Sequence, residues 1–279
     1  MPQPHDVERR LRFLRPAARR PPRVRRGVSL LPSLFTMGNM FCGYACIVYA
    51  MRGDFETAAP FIGIAIVLDM LDGRIARLTG TESDFGVELD SLADVISFGV
   101  APAVLAFAWG LQPLGRLGWA AGFIYVSAAA LRLARFNIQR AAGGDKRYFV
   151  GMPSPPAAGI AASTVYVYPY GLHDYWAALP VLAMMLVPAL LMVSTIRFRS
   201  FKTIDLQMRR PYTVLLLIAM AIMAVATHPR FVLVAMAYAY LLSAFIGLAA
   251  SKFRHRAGSD GSGRAGEAGR AGTASDART

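Results

Sequence analysis

The chain of 279 residues is 55% hydrophobic and has a mean hydropathy of +0.42, which is too apolar for an ordinary soluble domain of its size. Its formal net charge of +13 raises nucleic acid as a partner. However, the basic residues are spread over membrane-flanking segments, no nucleic-acid module accompanies them, and anionic lipid headgroups are the partner they fit. The composition is that of an all-α, polytopic integral membrane protein.

In chain order, residues 1–29 read as a basic cytoplasmic arm. The Arg-rich stretch from Arg9 to Arg26 follows Asp6 and Glu8 and runs into the first apolar segment without a small-residue cleavage pattern, unlike a targeting presequence. Residues 30–252 read as one transmembrane domain, the part of the chain that would hold any catalytic site. Eight apolar runs suit bilayer crossing: Leu31 to Met51, Thr57 to Leu71, Phe85 to Ala108, Leu117 to Leu133, Pro153 to Tyr170, Trp176 to Ile196, Tyr212 to Thr227 and Phe231 to Ala250. Cys42 and Cys46, one turn apart in the first run, read as small apolar packing residues. Residues 253–279, made mostly of Gly, Ala, Ser, Thr and Arg, read as a disordered cytoplasmic tail.

Lys and Arg near span ends concentrate on the cytoplasmic side. With eight spans and the N-terminus inside, 27 of the 30 Lys and Arg fall in cytoplasmic segments; Arg52, Arg116 and Arg230 are the exceptions. Both termini then face the cytoplasm.

Acidic residues are distributed very unevenly. Seven of the 17 lie within positions 69 to 94, and Asp69, Asp72, Asp90 and Asp94 stand at the joined ends of the second and third runs. Carboxylates are costly near hydrocarbon, so such a cluster is a functional-site hypothesis. Helical spacing puts Asp69 beside Asp72 and stacks Gly86, Asp90 and Asp94 on one face. Like charges this close call for cations, and a set of oxygen ligands without His or Cys favours Mg²⁺ or Mn²⁺ over Zn²⁺. Two such ions would suit phosphoryl chemistry. Gly73, Ala76 and Gly86 leave room for a ligand beside the acids, and Arg77 is placed to meet a phosphate.

The spacing Asp-x2-Asp-Gly-x2-Ala-Arg-x8-Gly-x3-Asp-x3-Asp, complete here from Asp69 to Asp94, resembles the signature of the CDP-alcohol phosphotransferases. The resemblance implies a six-helix core that transfers a substituted phosphate from a CDP-linked donor to an alcohol with release of CMP. It implies that Asp69, Asp72 and Asp90 bind metal, that Asp94 is metal neighbour and general base, and that Gly73, Ala76, Arg77 and Gly86 surround the cytidine diphosphate. Three further stretches, Ser97 to Pro102, Leu131 to Asn137 and Gly151 to Pro156, are similar to the bacterial branch of the family that makes phosphatidylserine. The first span is similar too, although Ser33 stands where an Asn is usual.

That branch implies CDP-diacylglycerol as donor and L-serine as acceptor. A serine carboxylate needs a cation, and Arg132, Arg135 and Asn137, at the end of span four, are candidates to supply the acceptor pocket. Glycerol phosphate, inositol phosphate or choline are the alternative acceptors. A cation transporter is the alternative from another class, but it should carry ionisable groups at mid-membrane in several spans, and spans five to eight have almost none. Gly118-x3-Gly122 suits close helix packing and fits the homodimers common in the family.

Overall fold

Two long helices joined by a three-residue turn open the described chain. In the computed structural model these are α1 (Leu30–Met51) and α2 (Phe55–Thr79), packed along each other. The structure describes residues 30–80, 83–141, 148–194, 197–199, 219–220, 223–224 and 226–243. Asp54 starts α2 by accepting a hydrogen bond from the Thr57 amide at 3.1 Å, and Gly80, with φ of 62°, ends it in the left-handed region that favours glycine. The buried face of α2 runs Phe55, Ala58, Ala59, Ile62 and Ala65, then reaches Asp72. One continuous helical stripe therefore changes from apolar to acidic as it approaches the end of the bundle.

Ser83 caps the next helix through the Gly86 amide. This helix, α3, runs Asp84–Leu114, and its α-helical turns are interrupted by π-helical turns at Val95–Val100 and Phe107–Leu111. A glycine turn at Gly115 leads into α4 (Arg116–Ala141). There follow strand β1 (Tyr148–Val150), α5 (Ser154–Val167), α6 (Tyr175–Val193) and strand β2 (Arg197–Arg199). Helix α7 (Pro229–Ser243) is the last described element.

Helix α5 is buried along most of its length. Ser154, Ala157, Ala158, Ile160, Ala161, Ala162, Ser163 and Val165 are all buried, and these mostly small side chains let neighbouring helices approach closely. Two hydrogen bonds join the α3 end to the chain beyond α5: Trp109 Nε1 donates to the Tyr168 carbonyl at 2.8 Å, and the Leu172 amide donates to the Trp109 carbonyl at 2.7 Å. Arg230 of α7 pairs with Glu56 and lies over the Tyr166 ring, 5.1 Å from its centroid. Exposed Tyr168, Tyr170, Tyr175 and Trp176 also lie near this end, the kind of aromatic belt that sits at a membrane surface.

The fold is the expected helical one, with differences at the ends. Helix α2 continues past Leu71 to Thr79, carrying the charged turns with it, and α3 continues past Ala108 to Leu114. Among the described residues four helices are long and apolar enough to cross a membrane: Pro32–Met51, Asp84–Leu114, Arg116–Gln139 and Tyr175–Val193. Helix α5 has 14 residues, while α2 has 25 but carries the acids. Most of the seventh expected span, part of the eighth, the arm and the tail lie outside the described residues.

A two-stranded antiparallel ribbon, not expected from the sequence, pairs Tyr148 with Arg199 and Val150 with Arg197. It brings the chain entering α5 and the chain leaving α6 to one end of the bundle, as alternating spans require. Gly118 packs within its own chain, since a Cβ there would strike the Leu111 carbonyl, whereas Gly122 has open space beside it.

Candidate active site

Four residues separate the end of α2 from the start of α3, and the acids that the two helices carry come together. Carboxylate oxygens of Asp69, Asp72 and Asp90 lie within 4.8 Å of one another. Asp72 is buried and the other two are half-buried. Asp94, one turn further along α3, is outside this trio but within electrostatic range of all three. Three oxygen donors converging at this separation, without nitrogen or sulfur ligands among them, fit a hard divalent cation.

Helix α1 supplies the polar support for the acids. Thr36 Oγ1 lies 3.0 Å from Asp72 Oδ2 and 3.1 Å from the Pro32 carbonyl; its single proton serves the carboxylate, the stronger acceptor. Asn39 Nδ2 donates to Asp94 Oδ1 at 3.4 Å, and Ser97 Oγ donates to the Asn39 backbone carbonyl at 2.9 Å. Sequence reasoning gave none of these residues a role. The available signal was the recurrence of polar side chains at helical spacing within an apolar span.

The basic candidates separate clearly. Arg132 Nη1 donates to the buried Ser154 Oγ at 2.9 Å, and its guanidinium lies in electrostatic range of Asp94 and Asp69. Arg135 is exposed. Asn137 Nδ2 donates to Ser91 Oγ at 2.8 Å, which ties α4 to α3 between Asp90 and Asp94. Exposed Arg77 lies across Gly73, where a Cβ would stand 3.5 Å from Arg77 Nη1, and Ala76 is half-buried beside it. A Cβ on Gly86 would come within 3.2 Å of the capping Ser83 hydroxyl.

The turn before α5 explains how Ser154 reaches Arg132. Gly151 has a φ of 86°, a Cβ there would strike the Met192 carbonyl, and the Met152 amide donates to the Leu191 carbonyl at 3.0 Å. The start of α5 is thus pinned to the end of α6, with Ser154 facing the acids' neighbour.

The model of the CDP-alcohol phosphatidyltransferase family matches residues 29–189, which include every site residue just described. The chain belongs to the CDP-alcohol phosphatidyltransferase family. Helix α7 lies beyond the family match. The chain is 38% identical over 192 residues to the CDP-diacylglycerol–serine O-phosphatidyltransferase of Helicobacter pylori, covering 68% of this chain and 81% of that one. It is 34% identical over 175 residues to the protein of the same name from Bacillus subtilis, covering 63% and 93%. It is also 36% identical over 170 residues to the archaetidylserine synthase of Methanothermobacter thermautotrophicus, covering 60% and 69%.

Proposed function

We propose that this chain transfers the phosphatidyl group of CDP-diacylglycerol to the hydroxyl of L-serine, forming phosphatidylserine and CMP in phospholipid biosynthesis. The observation that carries the reading is the trio Asp69, Asp72 and Asp90 with Asp94 one turn away, on the complete family spacing. Serine as acceptor is supported by relatives whose names differ in lipid but share that headgroup, and by Arg132, a buried-side cation close to Asp94.

Asp69, Asp72 and Asp90 are the residues that would hold Mg²⁺ or Mn²⁺, two ions in all, with Asp94 as their neighbour. When bound, such ions offset phosphate charge and stabilise the departing CMP. Asp94 takes the proton of the serine hydroxyl, whose oxygen forms the new bond to phosphorus. The bond from phosphorus to the CMP oxygen breaks, and CMP leaves with that electron pair. Gly73, Ala76, Arg77 and Gly86 surround the cytidine diphosphate. Arg132 receives the serine carboxylate, while Asn137, bonded to Ser91, holds α4 in register behind it.

The active site faces the cytoplasm of a bacterial inner membrane, with both termini on that side. The protein assembles as a homodimer, for which the open side of Gly122 on α4 remains available.

The test is CMP release by purified protein given CDP-diacylglycerol, Mn²⁺ or Mg²⁺, and one alcohol at a time. Serine should support turnover; turnover with glycerol phosphate, inositol phosphate or choline in its place would reassign the acceptor.

A further inference from the structure

We propose that Asn39 is the positioning residue for Asp94, an assignment that rests on Asp94 being the group that takes the acceptor's proton. Asn39 is fully buried in α1, where an amide is costly to place, and its Oδ1 is buried with no hydrogen-bond partner among the described residues. A residue kept only to pack would not leave that oxygen stranded. Its Nδ2 does have a partner, Asp94 Oδ1 on the neighbouring helix. The 3.4 Å separation is at the long end of the range, as is common for a resting site that tightens around its reactants.

A second hold comes from the same helix as Asp94. Ser97, fully buried, donates from Oγ to the Asn39 backbone carbonyl at 2.9 Å. Ser97 lies in the π-helical turns Val95–Val100 that begin directly after Asp94, and such turns recur at functional sites. The approach is possible because residue 43 is Gly: a Cβ there would stand 2.6 Å from Ser97 Oγ and 2.8 Å from Ser97 Cα. Helix α3 therefore grips Asn39 at two points, through Ser97 on its backbone and through Asp94 on its side chain. With one carboxylate oxygen engaged, the other is left in a fixed direction to receive the proton, following the general pattern of a base oriented by a third group. The Ser97 to Pro102 stretch thereby gains a use that the transfer chemistry alone does not give it.

Four proteins test this: Asn39→Leu, which keeps the branched skeleton and removes the donor, Ser97→Ala, Asp94→Asn, and Asn39→Leu combined with Asp94→Asn. Steady-state CMP release with CDP-diacylglycerol and serine gives kcat and both KM values. Asn39→Leu should lower kcat by roughly 10- to 100-fold and leave both KM values within about twofold, because an interaction that orients the base is not made with either ground-state substrate. Ser97→Ala should move kcat the same way by a smaller factor. On the Asp94→Asn background, Asn39→Leu should change residual turnover by less than about threefold, since residues acting as a unit are not additive.

Wild-type kcat in Asn39→Leu, a full multiplicative loss in the double variant, or a KM rise in place of the kcat loss would each overturn the assignment. If Asn39→Leu does not fold, Ser97→Ala decides, and an unchanged kcat there overturns it. Near-normal turnover in Asp94→Asn is a distinct result: it removes Asp94 as the base, and the role of Asn39 falls with it.

Discussion

Replacing Gly43 by Ala tests how closely α1 and α3 must approach for the site to work. The added Cβ would lie 2.6 Å from Ser97 Oγ, 2.8 Å from Ser97 Cα and 3.1 Å from Ser97 Cβ. The hydroxyl can rotate away but the Cα cannot, and carbon atoms settle no closer than about 3.4 Å, so the helices must part by about 0.6 Å. That displacement stretches the Ser97 Oγ to Asn39 carbonyl bond from 2.9 Å to the edge of hydrogen bonding. Overpacking of this kind costs about 1–3 kcal/mol, more than the gain of up to about 1 kcal/mol from placing Ala in a helix. A shift of this size beside reacting groups should lower kcat about 10- to 100-fold. Gly63 on α2 is the control, because nothing lies within 4 Å of a Cβ built there. CMP release and thermal unfolding in detergent should show loss for Gly43→Ala and none for Gly63→Ala. Wild-type kcat and melting behaviour in Gly43→Ala would refute the close-approach reasoning.

Because Asp69, Asp72 and Asp90 present only carboxylates, excess chelator should abolish turnover and added Mn²⁺ or Mg²⁺ should restore it; sustained activity in chelator would remove the cation from the mechanism. Arg132→Ala should raise the serine KM about 10-fold or more while Arg135→Ala changes it less than about twofold, since only Arg132 faces the acids. The opposite ranking would move the acceptor to the exposed side of α4. A cysteine placed at His173 should react with an impermeant thiol reagent added outside intact cells, and one placed at Gly144 should not; the reverse labelling would invert the topology.

The acids were legible in the sequence because charge in an apolar run is conspicuous and its spacing is informative. Asp69, Asp72 and Asp90 meet as that spacing requires. Thr36, Asn39, Ser97 and Ser154 carried no comparable signal, since uncharged polar residues are frequent in membrane helices and only a partner on another helix reveals their use. Arg132 and Arg135 are one turn apart, so periodicity put both on the site's side of α4. The burial of Ser154 and the turn at Gly151 determine that only Arg132 is drawn inward. The ribbon was illegible because three-residue strands are too short to show a period. Gly118, read from its spacing as suited to close packing, meets the Leu111 carbonyl across a turn that only the folded chain makes visible.

The brevity of α5 has a consequence for how reactants travel. Fourteen residues rise about 21 Å, roughly 9 Å less than the hydrocarbon thickness of a typical bilayer. Ser154, at one end of that helix, bonds the arginine beside the acids, so the reaction plane is tied to a helix that does not fill the membrane. A lipid donor can then present its phosphates to the site with its tails still solvated by neighbouring lipids, which spares the cost of about 0.8 kcal/mol for each methylene withdrawn into water. The water-soluble reactant makes the approach to that plane instead, so the partition between the two reactants follows from the length of one helix.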